Sequence, residues 1–487
     1  MTERPFAHPI PYREALGAFA AFAGDPVAAF LDSAARARGR GRYSYIAADP
    51  ILVLTAEGDK TFIDGTLVPG SPFDVLEAEL KKFRCRNDPD LPPFQGGAVG
   101  YLGYELGRHL ERLPPPSDVG LDVPDMAVGF YDTVCAFDAE TKQAWVIARD
   151  LPRDLAGAKR PPAAERADAM AARIHAAPAM APLDWAPAGN WTPEVSRARF
   201  EEMVSRVIAY IHAGDIFQAN LTQRLLGHLP AGLDPFMLYR RLRALSPAPF
   251  SAFLTVPDGT AIASASPERF LGLDAQGHVV TRPIKGTRPR GRTRAEDEAL
   301  ARELVGSEKD QAENLMIVDL LRNDLSRVCR LGSVAVGELA GLERFANVHH
   351  LVSEVRGTLF PNLGPVDLLR ATFPGGSITG APKIRAMEII NELEPARRGP
   401  YCGAVAWIGF DGAMGSSIVI RTLVIKDGRV AAQAGAGIVA DSDPAAEYDE
   451  TMDKAWALLQ SLDPGELAPG EIVPGEIVPG EIVKERA

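Results

Sequence analysis

The sequence predicts an α+β fold in which layered, largely antiparallel β-sheets carry helices on their outer faces. Three observations point there. Short strand-like runs broken by glycine and proline recur at hairpin spacing. Long helical patterns cluster after residue 192 instead of alternating one for one with strands, which argues against a doubly wound parallel sheet. With 46% apolar residues among 487, the chain can bury the core of two domains or one large one.

In chain order, residues 43–137 hold the strand runs ILVLTAEG, TFIDGTLV, GGAVGYLGYEL and MAVGFYDTVCAF. Residues 151–191 are rich in alanine, proline and arginine around a short helical middle and read as a linker or excursion. PEVSRARFEEMVSRVIAYIHAG reads as a helix capped by Thr192, with Pro193 in its first turn and Gly214 as its stop. AEDEALARELVGSEKDQAENLMIVDLLRNDLSRV is a second long helical pattern. Strand runs lie between and beyond these, among them FSAFLTV, AIASASPERFLGL, HVVTRPIKG, AVAWIGF, SSIVIRTLVIKDG and RVAAQAGAGIV. The last helix opens at Asp443-Pro444 and ends near Leu462. After it come four tandem pentads, PGELA and three of PGEIV, whose recurring Pro-Gly excludes helix and sheet interior. The expected organisation is therefore an N-terminal region, 1–150, the excursion, 151–191, a main region, 192–462, and a disordered tail, 463–487.

Composition excludes several classes of function. A net charge of −12 gives no basic field for nucleic acid or anionic lipid. Cys85, Cys135, Cys329 and Cys402 are scattered, which suits neither a disulfide framework nor a zinc site and fits a reducing cytoplasm. The N-terminus lacks a signal pattern and no apolar run reaches membrane length. The expectation is a soluble cytoplasmic protein that binds neither nucleic acid nor membrane.

Chemistry concentrates in a few places. The helical pattern Lys309 to Asp324 has apolar residues nearly all round, predicting a buried helix whose charged members, Glu313 among them, need partners or a metal. Glu447, Glu450 and Lys454 fall at i, i+3 and i+7, along one helix face; such a row serves as a salt-bridge ladder or as a site for a hard cation such as Mg²⁺. The loop from Pro374 to Lys383 runs into a helix and offers backbone N–H groups to an anion, although it is not a P-loop. Gly435 and Gly437 end a strand as a lone G-x-G. Lys285, between proline and glycine on a strand, is either a solvated lysine or a nucleophile. Glu268, His349 and His350 are acid and base candidates.

Read together, PIKGTRPRG, AENLMIVDLLRNDLSRV, VHHLVSEVRG, FPGGSITGAPKIRAMEII, IVIRTL and AGAGIVADSDPAAEYDETMDKA resemble the chorismate-utilising enzymes, in the family's order and over nearly all of 192–462. The resemblance implies the chorismate-utilising fold and chorismate as substrate. It implies Mg²⁺ on Glu313 and Glu450, and anion contacts from Arg421, Lys454, Thr287 and the backbone near Gly435 and Gly437. Isochorismate and salicylate formers carry a water-activating lysine where this chain has Gln218, which points away from hydroxylation. Anthranilate synthases read P-I-A-G-T where this chain reads Pro283-Ile284-Lys285-Gly286-Thr287. That lysine resembles the covalent nucleophile of the branch that aminates C4 of chorismate, as Asn220 and Gln223 also do; the runner-up is the anthranilate-forming branch. By the same resemblance Glu268 protonates the leaving hydroxyl and His350 is an active-site histidine. Ammonia would come from a separate glutamine amidotransferase subunit, since no such signature is present here. Asp32 and Ser33 with Pro249 and Phe250 partly resemble the family's tryptophan site.

Overall fold

The computed structural model describes residues 4–35, 41–117, 120–150, 160–183, 191–344 and 348–462. The pentad tail and the ends of the 151–191 excursion lie outside these. The described residues form two sheets of 12 strands each, antiparallel at every pairing. The first runs from Phe6–Ile10 through Gln143–Ala148, Thr133–Asp138, Tyr43–Ala48 and Ala28–Asp32. It continues through Phe250–Thr255, Ala261–Ser266, Thr422–Lys426 and Arg429–Ile438 to Gln218–His228, with the short Thr192–Pro193 and Gly380–Ala381 against that last long strand. The second sheet begins with Ile284–Pro289, Val348–Thr358, His278–Arg282 and Arg269–Leu273. It goes on through Met414–Ile418, Ala404–Gly409, Gly97–Leu102, Met126–Tyr131 and Leu52–Glu57 to the Lys60–Ile63 and Thr66–Val68 hairpin, with Ala335–Arg344 also paired to Val348–Thr358. Both sheets are thus woven from both halves of the chain.

Side-chain alternation stacks these sheets into four layers. On Ala28–Asp32, Ala29 points to an inter-sheet core shared with Val99, Tyr101 and Val405, while Ala28 and Phe30 point outward. The outer face of the first sheet is covered by helices Ala163–His175, Pro235–Leu245 and Pro444–Leu462. Pro72–Lys82, Glu308–Ser326 and Pro365–Thr372 cover the outer face of the second. Arg197–His212 and Lys383–Leu393 enclose a smaller core against Gln218–His228.

Three local expectations change, and a fourth, the helical middle of the excursion, holds. The helix expected from Thr192 begins at Arg197, because Thr192–Pro193 instead pairs with Leu226 and Leu225 and Ser196 supplies the cap, accepting from the Arg199 N–H at 3.2 Å. The second long pattern breaks into Arg294–Gly306 and Glu308–Ser326, with Ser307 capping the latter. That latter helix is one-sided: Ile317, Val318 and Leu321 are buried, but Leu315 is 49% exposed. The helical middle of the excursion, Ala163–His175, buries Ala167, Met170 and Ile174 on the first sheet.

Candidate active site

The site forms where the two sheets meet the helices Glu308–Ser326 and Pro444–Leu462. Strand Gln218–His228 pairs with Arg429–Ile438, placing Asn220 opposite Gly437 and Thr222 opposite Gly435. Its first residue, Gln218, pairs on its other side with Ala381 of the glycine-rich loop. A Cβ added to Gly437 would lie 2.3 Å from Gln218 Nε2 and 3.4 Å from Lys285 Nζ. An alanine there would have to push the Gln218 amide aside, and its methyl would touch the Lys285 amine: both groups sit over the Gly437 Cα. Gly435 is the tighter position, since its Cβ would lie 2.5 Å from Thr222 Cγ2 and 2.7 Å from the Leu221 carbonyl oxygen, and its own carbonyl accepts a hydrogen bond from Lys454 Nζ at 3.0 Å.

Glu268 lies in the tight connection between Ala261–Ser266 and Arg269–Leu273 and is 6% exposed. Burial pushes its carboxyl up to about 7, against the opposing pull of the Ser377 hydroxyl, Lys285, the Ile284 N–H and Lys454. An acid balanced near neutrality beside an amine suits general acid catalysis. Arg421 takes left-handed backbone, φ 52°, and its Nη1 donates to the Lys454 carbonyl at 2.6 Å, which ties it to the last helix.

The carboxylates line the adjoining mouth. Burial raises Glu313, and Asp310 and Glu450 raise it further against Lys285 and Lys309. For Glu450, burial pushes upward too, but Lys454, Lys309 and Lys285 outweigh it and hold the carboxyl below its ordinary value; Lys454 Nζ contacts it directly. Glu447, raised by burial, accepts from Ser442 Oγ at 2.7 Å. Among the described residues no three acidic, histidine or cysteine side chains form a cage. Two mutually repelling carboxylates on separate helices nevertheless fit Mg²⁺, a hard cation that takes one or two protein carboxylates and keeps its waters.

The remaining candidates fall in different places. Thr287 and His350 face each other across paired strands, with Thr287 Oγ1 2.9 Å from His350 Nδ1. His349 points the other way, fully buried, with Nε2 3.0 Å from Asp297. Gln223 faces the last helix, donating to Thr451 Oγ1 at 2.5 Å. Lys383, at the end of the glycine-rich loop, is engaged by Asp324 at 2.7 Å and the Thr372 carbonyl at 2.9 Å. A cleft of about 1930 Å³ opens against interior strands of both sheets, lined by Asp32, Ser33, Tyr43, Pro249, Phe250 and Arg269; it is lined by none of Lys285, Glu268, Gln218, Glu313 or Glu450. The Asp32 carboxylate is already bound by Tyr239 Oη at 2.8 Å and Arg243 Nε at 2.5 Å, and so is drawn toward helix Pro235–Leu245. Ser33 Oγ donates to the Tyr43 carbonyl at 2.6 Å. Two residues of the site escape the sequence reading. Ser377 meets Glu268 and stands inside the glycine-rich loop, and Lys309 faces Glu313, Glu447 and Glu450 from the first turn of its helix.

A buried acid and an amine over a glycine floor, with lysines and carboxylates at the mouth, define an enzyme for a small anionic substrate. The chain belongs to the chorismate binding enzyme family, whose sequence profile matches residues 29–460. It is 43% identical over 444 residues to aminodeoxychorismate synthase component 1 of Salmonella typhimurium, covering 90% of this chain and 93% of that one. It is 42% identical over 470 residues to anthranilate synthase component 1 of Streptomyces coelicolor, covering 93% and 87%. The crystal structure of anthranilate synthase component I from Streptococcus pneumoniae superposes with a TM-score of 0.75 at 32% identity, covering 86% of this chain and 92% of that one.

Proposed function

We propose that the protein converts chorismate and ammonia to 4-amino-4-deoxychorismate, in the branch leading to 4-aminobenzoate and folate. The observation that carries this reading is the Lys285 amine, held over Gly437 within the electrostatic reach of the buried acid Glu268. The amine nitrogen attacks C2 of the ring, the two ring double bonds shift toward C4, and the C4 hydroxyl leaves as water with the Glu268 proton. Ammonia then adds at C4, the double bonds return, and the C2–nitrogen bond breaks to release Lys285. Gln218 closes the floor beside Gly437. Thr287, paired with His350, and Arg421 and Lys454 at the last helix bind and orient the anionic substrate. Glu313 and Glu450 would hold Mg²⁺, which supplies charge neutralisation to a substrate carboxylate.

Ammonium predominates at neutral pH, so efficient turnover calls for ammonia delivered by a glutamine amidotransferase subunit; the relatives named component 1 support such a partner. The four cysteines are free thiols, which supports a reducing, cytoplasmic setting. No helix among the described residues is long and apolar enough to cross a membrane. Similarity to the Streptomyces coelicolor enzyme keeps anthranilate formation as the second reading. Incubation with chorismate, Mg²⁺ and an ammonium salt decides between them. Mass spectrometry should find aminodeoxychorismate with its enolpyruvyl group intact, whereas fluorescent anthranilate with equimolar pyruvate would replace this reading with the second.

A further inference from the structure

The Ser377 loop and the Gln218 strand meet through a short backbone ladder, Gln218 opposite Ala381 and the Asn220 N–H on the Thr379 carbonyl at 2.7 Å. A second tie comes from outside the site. Arg398, 3% exposed, follows helix Lys383–Leu393 and spends four of its five N–H donors on fixed acceptors. Nη1 donates to the Ile378 carbonyl at 3.0 Å, next to Ser377, and Nη2 donates to the Asn220 carbonyl at 2.6 Å, two residues from Gln218. Nε and Nη2 also bind Glu394 at 2.9 and 2.6 Å. Glu394 in turn accepts from the Thr222 N–H and hydroxyl, both at 2.9 Å. Beneath the pair, the Tyr104 ring lies 4.7 Å from the guanidinium, and Glu105 accepts the Arg398 and Gly399 N–H groups at 3.0 and 2.9 Å.

A buried ion pair contributes little net stability over apolar residues of the same volume, because desolvation cancels most of its attraction. Geometric placement is the better account. We propose that Glu394 and Arg398 form a positioning device that locks the Ser377 loop onto the Gln218 strand, so that the Ser377 hydroxyl meets the Glu268 carboxyl while Gln218 stays packed over Gly437 beside Lys285. The proposal rests on the reading of Glu268 as the acid and Lys285 as the nucleophile.

The groups facing Glu268 are Ser377 from the loop, Lys285 and the Ile284 N–H from strand Ile284–Pro289, and Lys454 from helix Pro444–Leu462. Each of these favours the carboxylate. If the lock opens and Ser377 withdraws, the acid keeps its proton to higher pH, and the high-pH limb of kcat/KM moves upward. A residue that supports only the fold would leave that limb in place.

The test compares Ser377→Ala, Arg398→Lys, their combination, and the paired variant Glu394→Met with Arg398→Met, each by a pH profile, kcat and KM for chorismate with ammonium as nitrogen source. Lysine keeps a charge opposite Glu394 but cannot hold both carbonyls. The expected result is a kcat about 100-fold lower in Arg398→Lys with a much smaller change in KM, as a displaced catalytic geometry gives. Its limb should move in the same direction as that of Ser377→Ala, and the combination should move no further. Parent kcat and an unmoved limb in Arg398→Lys would overturn the proposal, whatever the melting temperature. The paired methionines keep the volume and should show the same losses; if that protein does not fold, Arg398→Lys carries the decision. Glu268→Gln serves as the control for the underlying reading: it must abolish the limb, and a surviving limb would sink the acid assignment separately from the lock.

Discussion

Replacing Glu268 by glutamine should make the protein more stable above neutral pH while leaving only a small residual activity. The carboxyl is raised by burial from 4.5 to about 7, and each pH unit of such a displacement is worth about 1.4 kcal/mol, giving roughly 3 kcal/mol. The folded state holds this proton more tightly than the unfolded chain does. Below pH 4.5 both states are protonated and the fold has its full stability; as pH rises toward 7 the unfolded chain ionises first and the fold loses up to that amount. Glutamine does not titrate, so the gap between variant and parent should open between pH 5 and pH 8. Thermal melts of both proteins across that range measure it. Glu105, also raised to about 7 by burial, titrates in both proteins and cancels. Turnover should fall by about 100-fold or more, as for a lost general acid. Melting curves that run parallel at every pH, or a variant that keeps parent activity, would refute the assignment of a buried, proton-holding acid.

Other outcomes follow from the same geometry. Lys285→Ala should slow product formation by about 100-fold or more, and a variant as fast as the parent in a stopped mass assay would reduce this lysine to a pocket wall. Gly437→Ala places a methyl 2.3 Å from Gln218 Nε2; melts should show a loss of about 1–3 kcal/mol for the overpacked site, together with a lower kcat. Glu313→Gln should weaken Mg²⁺ binding by at least tenfold in calorimetry, with unchanged circular dichroism; equal affinity would place the metal elsewhere. The isolated chain should turn over with ammonium at alkaline pH but not with glutamine, and glutamine-dependent turnover would remove the need for an amidotransferase partner.

Some of this was legible from local sequence. Asp443-Pro444 opens the last helix as its side chain requires, with the Ala446 N–H on Asp443 Oδ1 at 2.9 Å, and one helical face then delivers Glu450 and Lys454 to the site. Runs such as AVAWIGF and RVAAQAGAGIV became strands because they are short, almost continuously apolar and bounded by turns, the pattern of a strand buried on both faces. Strand Gln218–His228 was harder to see, since its polar side chains find partners in Glu394 and Thr451 that are distant in sequence. Thr192-Pro193 satisfies every local rule for a helix start, yet the sheet edge claims it. Arg398 looks like an ordinary basic residue after a helix. Its role exists only through the carbonyls of Ile378 and Asn220, and no side-chain pattern records where a backbone carbonyl will point.

The weaving of both halves into each sheet sets a condition on how the protein is made. Strand Gly97–Leu102 takes Ala404–Gly409 as one neighbour, and Ala28–Asp32 takes Phe250–Thr255. At about 5–20 residues per second of synthesis, the first of these strands waits roughly 15–60 s for its partner to leave the ribosome. Until then its N–H and C=O groups and the apolar faces of Val99 and Tyr101 have no native cover on that side. The nascent N-terminal half is therefore the stage at which this protein is most exposed to wrong pairing, and co-expressed fragments split between the halves should recover soluble enzyme only when both are present.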